Sequence, residues 1–320
     1  MILRWNLREP PGLAHLLIAV GTVTVFGLVM GGVGTADPPS VDPDASATAG
    51  AQGPLPFHYD ILTFKGTDGG TDVVAAVAVP VRRLGRDRED GQVRYRFDVR
   101  FVLADTVQKS VIDRIDSVFV SVPRPLARRH LLHTAVELNA PPSTDIQQRI
   151  VVTDVVRPGY GQLYQSDLHI PDYGGTDLMV SDIAFGLPGA RGAWTRRGLT
   201  LALLPTSQFP ESAFDVYYEI YNLPPGRPYE TVIAIEPVDD DEERVVRTLF
   251  EGRSDAGDDG IMDELRRVES ALDGGRYRIS VTVTDQADGR SATSSRLVEV
   301  QGWRRGATMV PALSKRGGRP

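Results

Sequence analysis

The feature that most limits what this chain can become is a period-two alternation of apolar and polar side chains. From Arg94 to Phe101 the string RYRFDVRF puts Tyr95, Phe97, Val99 and Phe101 on one face and Arg94, Arg96, Asp98 and Arg100 on the other. Tyr277, Ile279, Val281 and Val283 repeat the pattern against Arg278, Ser280, Thr282 and Thr284. Successive side chains of a strand point to opposite faces, so such segments bury their apolar set only as one side of a sheet. Comparable runs at His58–Phe64, Thr71–Val79, Val111–Val122, Gln147–Val155, Phe214–Tyr221 and Glu230–Pro237, punctuated by Gly, Pro and Asp, predict stacked antiparallel layers. The 320 residues contain no Cys, so those layers must be held by packing alone. The same absence excludes thiol catalysis and cysteine-ligated metal.

The expected fold class is all-β, with two immunoglobulin- or fibronectin-like sandwich modules after an N-terminal signal or single transmembrane helix. Arg4 and Arg8 precede an uncharged stretch from Gly12 to Ala36, which marks residues 1–36 as an export signal, removed after Ala36 or retained as a membrane anchor. Asp37, Asp42 and Asp44 follow the stretch, so the body is expected on the far side of the membrane, periplasmic or extracellular. Residues 37–56 read as a flexible linker, 57–186 as the first module, 187–198 as a second linker, 199–301 as the second module and 302–320 as a basic, disordered tail. Residues 37–301 hold 28 basic and 41 acidic side chains, a net charge of −13, which argues against nucleic acid as a partner. One helix is expected within the second module, from Ile261, Leu265, Val268 and Leu272, with Asp258 or Asp259 as its N-cap.

Three groupings invite a chemical reading. Tyr217, Glu219 and Tyr221 share one strand face, a stripe able to bind a sugar or a peptide from the surface or to pack as structure. Asp255, Asp259, Gly260 and Asp263 occupy EF-hand-like positions, but Gly257 and Arg266 replace two ligands, leaving at best a weak calcium site or a solvated loop. His130 and His133 would share a helix face but lie on opposite faces of a strand, so no metal is assigned to them. No catalytic residue and no cofactor is assigned, because the nucleophile elbow, the zinc-protease helix, the Walker loop and the dinucleotide fingerprint are all missing. Leu272, Gly275 and Tyr277 form a structural corner in which a tyrosine hydroxyl ties a loop to the next strand. The strings VVRPGYGQLYQSDLHI and ALDGGRYRISVTV suggest a weak internal repeat.

FDVYYEIYNLPPGRPYETVIAIEP followed by LDGGRYRISVTVTDQADGRSATSSRLVEV resembles the C-terminal β-module of bacterial exported GWxTD-domain proteins. LHIPDYGGTDLMVSDIAFG is similar to the strand and linker before that module, although the Gly-Trp-x-Thr-Asp string itself is absent. The resemblance implies an exported β-sandwich protein and transfers no catalytic residue. The expected role is therefore non-catalytic: an envelope binding or scaffold protein recognising protein or glycan, with inner-membrane contact through its N-terminal helix. The alternatives are an accessory subunit or enzyme acting on cell-wall or extracellular polymers, and a calcium-stabilised adhesin-like module.

Overall fold

The computed structural model describes residues 53–187, 194–209, 213–238, 246–269 and 272–300. The expected leader, most of the first linker and the basic tail lie outside the described residues. Among those described, no α-helix is present, and no helix is long and apolar enough to cross a membrane. Nineteen strands are formed among the described residues. The first nine are β1 (Gly53–Pro54), β2 (His58–Lys65), β3 (Thr71–Pro80), β4 (Asp87–Glu89), β5 (Gln92–Asp105), β6 (Ser110–Val122), β7 (Leu131–Ala140), β8 (Ser143–Asp154) and β9 (Tyr160–Ile170). Four short ones follow: β10 (Met179–Val180), β11 (Ala184–Gly186), β12 (Trp194–Arg196) and β13 (Leu199–Leu201). The last six are β14 (Ala213–Tyr221), β15 (Pro228–Pro237), β16 (Arg247–Asp255), β17 (Ile261–Glu269), β18 (Gly275–Asp285) and β19 (Ser291–Val300).

These strands make two compact units, one of residues 53–176 with 194–205, the other of 177–187 with 206–300. In the first unit one sheet runs β2-β3-β7, and the other runs β6-β5-β8-β9. β1 adds in parallel to β9, and β4 pairs the start of β5. Tyr95, Phe97, Val99 and Phe101 are the fully buried face of β5, as the alternation requires, and they join one core with Val73, Ala75, Val77, Val136, Ile150 and Val152. Asp68-Gly69 and Asp90-Gly91 close the β2–β3 and β4–β5 hairpins with both residues at positive φ, the twist that suits a two-residue connection.

The second unit repeats the order. β14 lies between β17 and the split pair β10 and β11, and the facing sheet runs β16-β15-β18-β19. Strand for strand, β3 corresponds to β14, β5 to β15, β7 to β17, β8 to β18 and β9 to β19. The suggested internal repeat does not follow this order: VVRPGYGQLYQSDLHI covers the β8–β9 turn and β9, whereas ALDGGRYRISVTV covers the approach to β18 and β18 itself.

Two expectations are corrected. Ile261–Glu269 is a strand, not a helix, paired with β14 along its whole length. Steps of four and three mixed residues from its two faces: Met262 and Val268 are buried on one side, while Ile261 and Leu265 take the other. Asp259 accepts from Ile261 N at 3.2 Å as a turn residue instead of capping a helix. The expected linker 187–198 is in part structured: Trp194–Arg196 and Leu199–Leu201 form a hairpin across Arg197-Gly198, again at positive φ. That hairpin belongs to the first unit. The Trp194 ring packs 5.3 Å from Phe64, its Nε1 donates to Glu137, and Arg196 pairs with Asp72 while stacking on Phe64. Residues 201–205, all buried, continue this strap, and Leu203 O meets His133 Nδ1.

Candidate functional site

β14 is buried on both faces from Phe214 to Tyr221. One face, with Phe214, Val216, Tyr218 and Ile220, turns toward the second sheet of its unit. Phe214 clusters with Phe185 and Phe209 at ring separations of 6.0 and 4.6 Å. The other face carries Asp215, Tyr217, Glu219 and Tyr221, so sequence reading grouped the last three correctly. It left their setting open between a binding stripe on the surface and structural packing. Glu219 is 1% exposed and both tyrosines are at 0%, so the structural option is the one realised. Tyr217 Oη donates to Glu219 Oε1 at 2.5 Å and Tyr221 Oη to Oε2 at 2.7 Å. Both carboxylate oxygens thus receive a phenol proton, which offsets the desolvation of a buried acid. Ser181 accepts from Glu219 N through Oγ and donates its own N–H to Glu219 O, fixing the strand at this point. The arrangement holds a carboxylate in place and closes it to solvent, so it presents no general base to a substrate.

A second polar cluster lies between the two sheets of this unit. Tyr229 Oη donates to Glu264 Oε1 at 2.9 Å, and Arg266 pairs with Glu264 Oε2 at 2.5 Å while lying over the Phe250 ring. Burial, reinforced by Glu264, pushes the Tyr218 phenol well above its ordinary value. The Tyr229 phenol is pushed up to about 12, first by burial. Tyr218 Oη and Thr231 Oγ1 are neighbours, yet neither completes a hydrogen bond within normal limits.

The tyrosine corner is present. Tyr277 Oη donates to Asp273 O at 3.0 Å, four residues back, Gly275 takes φ +156 beside the ring, and Leu272 is buried. The remaining groupings do not assemble. Asp255 ends β16, Asp259 sits in the turn and Asp263 lies exposed within β17, so the cation loop read from spacing is interrupted by a strand. His130 is in a loop against Ala127 O, while His133 sits on β7, its pKa lowered by burial. Among the described residues no three potential metal ligands come together.

Sequence reading missed one repeated device. β8 and β18 both end in Val-Thr-Asp, at 152–154 and 283–285, and both aspartates are buried. Asp154 accepts from Gly85 N, Val156 N, Arg157 N and Arg157 Nε at 2.6–3.1 Å. Asp285 accepts from Ala287 N at 2.9 Å and meets Arg227 Nε at 3.3 Å and Arg290 at 3.6 Å. The shared tripeptide was the available signal for the true internal repeat.

The exposed features lie elsewhere. On β6, Val111, Ile115 and Phe119 share one face at 65, 58 and 36% exposure, a row of large apolar side chains on an edge strand. Arg100 and Asp113 form an ion pair beside it.

No family model matches this chain, and no curated protein matches it. Among solved structures, it is similar to red sea bream transglutaminase, at 12% identity and TM-score 0.22, over 77% of this chain and 31% of that one. It is also similar to Bacteroides uniformis beta-glucuronidase, at 8% identity and TM-score 0.24, over 71% of this chain and 26% of that one. The chain spans about a third or less of each, and likenesses at these scores carry no argument about activity.

Proposed function

We propose that this chain is a non-catalytic, exported envelope protein that recognises a partner through an exposed sheet face of its first unit. The observation that carries the reading is the apolar row Val111, Ile115 and Phe119 on an edge strand, where water-facing apolar side chains mark an interaction surface. The strand order β2-β3-β7 over β6-β5-β8-β9, repeated in the second unit, supports two immunoglobulin- or fibronectin-like modules, and the Tyr277 corner is a hallmark of that class. The apolar stretch 12–36 and the resemblance to exported GWxTD-domain proteins support export and membrane attachment. The buried acid Glu219 is engaged by its neighbours, which supports a structural over a catalytic use.

The test is site-specific photo-crosslinking from position 115 in intact envelopes, with the exposed position 293 on β19 of the second unit as the control. One discrete crosslinked protein or glycan from 115, abolished by Phe119→Ser, is expected. Equal labelling from both positions sinks the recognition face. Turnover on a glycan, peptide or ester panel that vanishes with one carboxylate substitution replaces the reading with an enzyme.

A further inference from the structure

Seven arginines crowd one end of the first unit in a body whose net charge is −13. Arg82, Arg83, Arg86 and Arg88 lie between β3 and β5, and Arg124, Arg128 and Arg129 lie between β6 and β7, all exposed. Val81 N donates to His130 O, joining the two loops, and a cleft of about 260 Å³ lined by Arg86, Asp87, Arg88, Val93 and Pro125 runs between them. The acids of the first loop are already engaged: Asp87 pairs with Arg96, and Glu89 and Asp90 with Arg94. Among the described residues, none of the seven has a carboxylate partner. Exposed Val155 and Pro123 stand among them, so cations and apolar side chains share the same end.

The chain enters the unit here as well. β1 pairs with Tyr160-Gly161 just after the β8–β9 turn, and His58 at the start of β2 is level with Ala78 near the end of β3. Residues 37–52 lie between the apolar stretch and β1, and even fully extended they span at most about 55 Å. We propose that this arginine end binds an anionic phospholipid surface, each exposed cation being drawn to the headgroups while the acidic remainder is repelled. The proposal rests on the reading of residues 12–36 as membrane-inserting. Its arginines lie too far from that stretch to oppose translocation of the body.

The absence of Cys makes the test direct, because Val155→Cys gives the full chain a single thiol for a fluorophore. The chain is reconstituted in vesicles of phosphatidylcholine alone or with about one third phosphatidylglycerol, carrying a headgroup quencher. Quenching at 155 is expected only with phosphatidylglycerol, falling about tenfold or more when Arg82→Glu, Arg128→Glu and Arg129→Glu are combined, and weakening in roughly 0.5 M salt. A label at Gln108→Cys, at the opposite end of the strands, should stay unquenched. An unchanged melting temperature shows that the triple variant folds. Equal quenching in both vesicles, insensitive to salt, overturns the proposal while leaving insertion intact. Failure to associate with either vesicle instead defeats the membrane-inserting reading. A response to polygalacturonate that the triple variant loses, without lipid quenching, overturns the lipid assignment in favour of an acidic glycan.

Discussion

The two units share a strand order yet treat the same end in opposite ways. In the second unit the three loops of that end are laced together: Gly226 N donates to Ala256 O, Ala256 N to Arg227 O, Asn222 N to Gly260 O, and Gln286 N to Pro228 O. Arg227 reaches Asp285 and Asp288, and Arg290 pairs with Asp288, so cations and acids neutralise each other. In the first unit the loops between β3 and β5 and between β6 and β7 keep seven arginines free of carboxylates, and in the β8–β9 turn Arg157 pairs with Asp154. The inner strands differ as well. β3 is Ala- and Val-rich on both faces beneath the strap, whereas β14 carries a hydrogen-bonded acid on the equivalent outer face. One topology therefore supports an end whose cations stay unpaired and an end consumed by its own structure. Backbone order sets where loops gather, and side-chain pairing decides whether they remain open.

The sharpest way to break this contrast is at Glu219. Glu219→Ala leaves two buried phenols without their acceptor and should destabilise the second unit by about 2–5 kcal/mol. A shift of the denaturant midpoint, with hydrogen exchange localised to β14 and β17, would verify it, and an unchanged midpoint would refute the role given to the carboxylate. Next come the two strand-end aspartates. Asp154→Ala orphans three backbone N–H groups and should cost about 2–4 kcal/mol, more than Asp285→Ala at about 1–3 kcal/mol. Equal losses would mean that arginine pairing at Asp285 compensates for its fewer backbone bonds. Tyr277→Phe removes one hydrogen bond at a half-buried site and should cost about 1 kcal/mol, loosening β18 before β8.

The smallest effects should appear as opposite pH responses. His133 has a folded pKa below its unfolded value of 6.5, so the unfolded chain binds more protons, and the first unit should lose stability as pH falls below that value. Tyr229 has a folded pKa raised to about 12 from 10.0, so the second unit should hold its stability below pH 10.0 and lose it as pH rises toward 12. Melting of His133→Gln and Tyr229→Phe across both ranges would separate the two, and slopes identical to the parent chain would remove the assignment.

What could be read in advance follows from where neighbours come from. β5 and β18 were legible because one buried face and one wet face leave their mark on every second residue. β16, RTLFEGRSD, carries too little apolar character to announce a strand, and its pairing with β15 supplies what its sequence lacks. β17 misled because apolar residues on both of its faces fall by chance at helical steps. The Tyr217-Glu219-Tyr221 grouping was visible, but burial of a second face depends on residues remote in the chain and leaves no local pattern. The arginine loops were legible as composition only, since their freedom depends on Arg94 and Arg96 capturing the nearby acids.

The strap of residues 194–205 has a consequence for biogenesis. The polypeptide leaves the first unit after 176, contributes 177–187 to the second, and returns before continuing. A chain synthesised from its N-terminus must expose β3 until the returning segment arrives, so the first unit is completed only after residues 194–205 have been made. A single proteolytic cut near the middle would likewise leave two fragments that each retain a part of the other's structure.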